Sequence, residues 1–66
     1  MAVAKTLEII SSSTESIEAA IREGVSKAAE TVQGIQEAWV QGTKAVIRDN
    51  KVAEWRVTLR ITFVVQ

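Results

Sequence analysis

The chain has 66 residues, eight basic and eight acidic side chains, and no cysteine, histidine or proline. A disulfide framework, an ordinary zinc, haem or iron–sulfur site, and a Ser-His-Asp or Cys-His catalytic arrangement are thereby excluded within one chain. Zero net charge gives no electrostatic reason for a nucleic acid or an acidic membrane as partner, and so short a chain hides only about 60% of its unfolded surface, which leaves association as the way to bury more.

Ala2 to Ile10 reads as a first strand, with Val3, Leu7 and Ile9 on one parity and Ala4, Thr6 and Ile10 on the other. Apolar residues on both parities indicate contacts on both faces. Met1 to Lys5 is too short and too polar for a signal peptide's apolar stretch, and no window approaches the roughly 20 apolar residues of a membrane span. These readings give the expectation of a soluble cytoplasmic protein. Ser11, Ser12 and Ser13 break the strand pattern. Serine favours helix N-caps, where its hydroxyl accepts from an orphan amide. Ser12 stands at capping-box spacing from Glu15, and Ser13 is an equally good cap.

From Thr14 to Thr31 the period becomes helical. Ile17, Ile21, Val25, Ala28 and Val32 recur every three or four residues, with Ala20 and Gly24 beside them. Glu15, Glu18, Arg22, Glu23, Lys27 and Glu30 line the opposite side. Glu18–Arg22 and Glu23–Lys27 are i, i+4 pairs in the favourable order. Gly24 costs about 1 kcal/mol relative to alanine in mid-helix, a cost expected where helix and sheet pack closely. Gly34 is placed as the helix stop.

Ile35 to Ile47 is strand-like but shifts phase. Ala38 and Val40 are apolar on one parity, Ala45 and Ile47 on the other, and Gly42 between them predicts a bulge or bend. Arg48-Asp49-Asn50-Lys51 predicts a hairpin turn, since Asp and Asn tolerate positive φ. The last segment alternates strictly. Ala53, Trp55, Val57, Leu59, Ile61, Phe63 and Val65 form one face, and Glu54, Arg56, Thr58, Arg60 and Thr62 the other.

The fold class is therefore α+β in the order β1-α-β2-β3, a single domain over 1–66 whose three-stranded antiparallel sheet packs on one amphipathic helix. One helix covers one sheet face only. The other face would carry Glu37, Trp39, Gln41, Arg56, Thr58, Arg60 and Thr62. Long free strand edges and this uncovered face favour a symmetric assembly.

The element order and three stretches resemble the dodecins, small proteins that assemble as hollow dodecamers. Leu7 to Ile21 (LEIISSSTESIEAAI) is similar to the family's strand-to-helix junction, Lys27 to Val32 (KAAETV) to its helix end, and Ala53 to Val65 (AEWRVTLRITFVV) to its final strand. The resemblance implies a homododecamer that binds flavin (riboflavin, FMN or FAD) between subunits. In the family a tryptophan near the start of β2 stacks on the isoalloxazine ring, and a glutamine on β3 bonds its polar edge. Aligned without gaps from Thr31, those positions hold Glu37 and Arg56. At Arg56 the chain resembles a subgroup that lacks the flavin-stacking tryptophan.

Trp39 lies two residues past Glu37 on the same face. It reads either as the stacking residue, shifted by about 7 Å, or as an aromatic anchor in a subunit interface. The candidate flavin-binding residues are thus Trp39, Arg56, Gln41 and Glu37. Arg56 would donate to flavin carbonyls or a phosphate, or would pair with Glu37. No catalytic residues and no metal ligands are assigned. The alternative reading is a flavin-free cage held by ion pairs or by cations on a symmetry axis.

Overall fold

A computed structural model describes residues 2–65. The single-domain expectation extends to Met1 and Gln66, which lie outside the described residues. The elements are β1 (Val3–Ser13), α1 (Ile17–Ala28), β2 (Ile35–Arg48) and β3 (Lys51–Val65). The strands form one antiparallel sheet in the order β1-β3-β2. The strictly alternating segment is thus the central strand. Its Val57, Leu59 and Ile61 are fully buried under the helix, together with Ala20. Leu7 and Ile9 of β1, Ile35 and Ala38 of β2, and Ile17, Ile21, Val25 and Ala28 of α1 surround them.

The serines do not end β1 where expected. Ser11, Ser12 and Ser13 pair with Val57, Arg56 and Trp55, so the long central strand supplies ladder partners that override the serines' preference for caps. The cap falls to Ser16, whose Oγ accepts from the Ala19 amide at 3.0 Å. Ser13 Oγ instead accepts from the Glu15 amide at 3.0 Å and turns the chain between strand and helix.

The helix spans 12 residues and ends at Ala28, short of the expected Thr31. The following turn is closed by the Thr31 and Val32 amides, which both donate to the Ala28 carbonyl. Gly34 lies beyond that turn, at the entry to β2, with φ of 78°. A side chain there would also meet the Val64 carbonyl oxygen at 3.1 Å, so glycine serves the turn into the sheet rather than the helix end. Of the two expected helix pairs, Arg22–Glu18 forms at 2.7 Å, whereas Lys27 turns to Glu30 at 3.4 Å.

Gly24 meets its expectation. A Cβ there would stand 2.9 Å from Ser11 Cβ and 3.2 Å from Leu59 Cδ1. The helix packs on β1 and β3, and the β2–β3 hairpin extends past it. Asp49 and Asn50 form the hairpin tip with φ of 53° and 62°, the geometry of a tight primed turn. The register of β2 on β3 slips at Gln36, at Gln41 and again near the tip. The slip beside Gly42 is the predicted phase change.

Candidate functional site

The uncovered face is built in cross-strand rows set by the register. Reading away from the chain ends, they are Thr6–Thr62–Glu37, Glu8–Arg60–Trp39, Ile10–Thr58–Gly42 and Ser12–Arg56–Lys44. Trp39 is the large aromatic of this face and is 67% exposed. Nothing on its own chain covers it. Its neighbour across the ladder is Arg60, with Glu8 beyond on β1. A flat ligand stacked on Trp39 would therefore find the guanidinium of Arg60 at its side, within the reach of cross-strand pairs.

The candidate residues are not gathered at one point. Glu37 shares a face with Trp39 but stands across from Thr62. Gln41 is the extra residue of the bulge between Val40 and Gly42, and it is exposed. Arg56 lies four residues from Arg60 along β3, about 13 Å away at the rise of a strand. Within one chain Glu37 and Arg56 do not meet, so an ion pair between them would need two copies. Arg60, a partner for Trp39 that sequence reasoning left out of the site, was already visible in the alternation of β3. Only the register shows that it, and not Arg56, is the neighbour.

Arg56 is held from two sides. Its Nε donates to Ser12 Oγ at 3.2 Å, and its Nη2 donates to Glu54 Oε1 at 2.8 Å. Arg48 approaches the other carboxylate oxygen of Glu54 at 3.7 Å. The hydrogen bond from Arg56 is the chief reason that the Glu54 carboxyl sits below its ordinary pKa. Lys44, across the ladder from Arg56, has no carboxylate within ion-pair distance among the described residues.

On the helix side a groove of about 600 Å³ runs between β1 and the C-terminal half of α1, lined chiefly by Leu7, Ile9, Gly24, Ala28 and Val32. It is mostly apolar and lies across the sheet from Trp39. Among the described residues no cluster of acidic side chains is close enough to hold a metal ion, and no helix is long and apolar enough to cross a membrane.

These features define a small α+β subunit with one clad sheet face and one open face bearing a bare indole. The family model for dodecin matches residues 3–66, and the chain belongs to the dodecin family. Its structure is similar to the dodecin from Streptomyces davaonensis, with a TM-score of 0.94 and 25% identity over 98% of this chain and 96% of that one. A mutant form of the Thermus thermophilus dodecin matches at a TM-score of 0.94 and 27% identity, over 100% and 98% of the two chains. The Streptomyces coelicolor dodecin matches at 0.94 and 25%, over 98% and 93%. No curated protein matches the sequence.

Proposed function

We propose that this dodecin binds and sequesters a flavin (riboflavin, FMN or FAD) on the open sheet face, between subunits of a homododecameric cage in the cytoplasm. Trp39 is the stacking residue, with Gln41, Glu37 and Arg56 as polar contacts, the last contributed where copies meet. The observation that carries this reading is the exposure of Trp39 on a face that its own chain leaves bare. An indole offers a flat ligand stacking area, and the nearby donors suit the carbonyl edge of an isoalloxazine ring. The role is storage rather than turnover: stacking a flavin on an electron-rich indole quenches its photochemistry and supplies no proton-transfer group.

Titrating riboflavin with the protein should quench flavin fluorescence, and Trp39→Ala should abolish the quenching. Flavin that stays fluorescent at micromolar wild-type protein would sink the proposal. The engagement of Arg56 with Glu54 and Ser12 favours a second reading, a flavin-free cage held by ion pairs. Protein purified with added flavin would then be colourless yet elute as a large assembly.

A further inference from the structure

Two arginines of β3 belong to the open face, and their charges are not equally available. Arg56 is occupied by Ser12 and Glu54, so a carboxylate already offsets it. Arg60 is exposed, and among the described residues no carboxylate lies within ion-pair distance of it. Even Glu8, its ladder partner on β1, does not reach it. On its other side stands the bare indole of Trp39. Directly opposed residues of a sheet have Cβ atoms about 4.5–5.5 Å apart. Along β2 the surroundings of Trp39 are of a different kind. Glu37 lies two residues one way, about 7 Å off at the rise of a strand. The next row the other way holds Gly42, Thr58 and the exposed Ile10, and a side chain at Gly42 would meet nothing within 4 Å. The indole is thus bordered by a free guanidinium at its side and by an open recess, partly apolar, beyond it.

We propose that Arg60 determines which flat rings Trp39 accepts. It favours rings with carbonyl or anionic acceptors on one edge, and it rejects flat cations. The acceptor edge lies on Arg60, and the apolar edge lies over the recess at Gly42 and Ile10. The inference deepens the flavin reading and rests on it, since the stacking residue is the same Trp39. Stacking alone does not make this choice, because an indole offers its face to any flat arene. An acceptor edge beside Arg60 gains a charge-assisted hydrogen bond from a guanidinium that has no other partner. A cation in the same place meets a like charge that no carboxylate offsets, which is discrimination by repulsion. Glu37 would attract a cation, but it stands two residues along the strand whereas Arg60 is directly opposite. The nearer charge prevails. An isoalloxazine ring has the required asymmetry, with two carbonyls on one end ring and two methyl groups on the other.

The test titrates riboflavin and proflavine, a flat tricyclic cation, into the full chain at neutral pH and follows ring fluorescence. Wild-type protein should bind riboflavin more tightly than proflavine. Arg60→Met keeps the bulk and removes the charge, and it should shrink that ratio of affinities by about tenfold or more, the scale of one hydrogen bond to a charged group. Arg60→Lys keeps the charge and should retain most of the ratio. Arg60 has no side-chain partner among the described residues, so neither substitution removes such a contact from the fold. Variants are compared on material that elutes at the wild-type mass. Riboflavin bound by wild type with an unchanged ratio in Arg60→Met overturns this inference and leaves the flavin reading standing. An equal fall in Arg60→Lys also overturns it, since shape rather than charge would then be responsible. Wild-type protein that binds proflavine and not riboflavin overturns both readings, and protein that binds neither ring does the same.

Discussion

Glu54 stands on β3 with the guanidinium of Arg56 on one carboxylate oxygen and that of Arg48 near the other. Its side chain is only 18% exposed, so these two cations and the Ser12 contact of Arg56 shape its surroundings. The folded state holds its pKa below the ordinary 4.5, mainly through the hydrogen bond from Arg56. A carboxyl with a depressed folded pKa stabilises the fold fully above its unfolded pKa. The contribution is lost as pH falls below 4.5 through the folded value. Wild-type protein should therefore be more stable than Glu54→Gln at neutral pH, and the gap should narrow as the pH drops below 4.5. Urea midpoints of both proteins at matched concentration, followed against pH, check this. A gap that stays constant on acidification would mean that the carboxylate charge is not what Arg56 and Arg48 respond to.

At the scale of elements, the contact between α1 and the sheet rests on Gly24. Alanine there gains about 1 kcal/mol of helix propensity, but overpacking typically costs about 1–3 kcal/mol. The obstructing atom is the Cβ of Ser11, which is fixed to a strand backbone and cannot swing away. The steric cost should prevail, leaving Gly24→Ala destabilised by about 1 kcal/mol in urea unfolding. An unchanged or raised midpoint would show that α1 can shift outward freely. This contact was legible in the sequence, because a glycine in mid-helix weakens the helix unless another element must approach its backbone closely there. The central strand was legible for a similar reason, since alternation from Ala53 to Val65 admits one face assignment. The site was less so. Which residue lies beside Trp39 depends on the bulges at Gln36 and Gln41, and each slip moves β2 by one residue against β3. A local pattern can flag a bulge near Gly42, but it does not give the resulting alignment of Trp39 with Arg60. The Ser12–Arg56–Glu54 network was hidden for the same reason: it joins β1 to β3 across 44 residues of sequence. The serines misled because their local preference for caps yielded to ladder partners on a strand from the far end of the chain.

The whole molecule is a long, thin plate, 51 × 19 × 14 Å. Its Cα radius of gyration is 13.5 Å, against about 10.8 Å for a compact domain of this length. Its accessible surface is 4896 Å², where size scaling for folded monomers gives about 4,100 Å². The buried apolar side chains among the described residues are Ala19, Ala20, Val57, Leu59 and Ile61, all of them on the one helix or on the strand beneath it. Outside that patch Ile10, Trp39, Ile47 and Val52 are about half exposed or more, and β1 and β2 both present free edges. A lone core of this size supplies little net stability once the entropy of ordering the chain is subtracted. That exposed apolar surface and the two free strand edges favour association with further copies. Folding and association should therefore be coupled by mass action. The thermal unfolding midpoint should fall on roughly hundredfold dilution, in step with loss of the large species by light scattering. A midpoint independent of concentration, with the protein at protomer mass throughout, would mean that this thin plate is stable unaided.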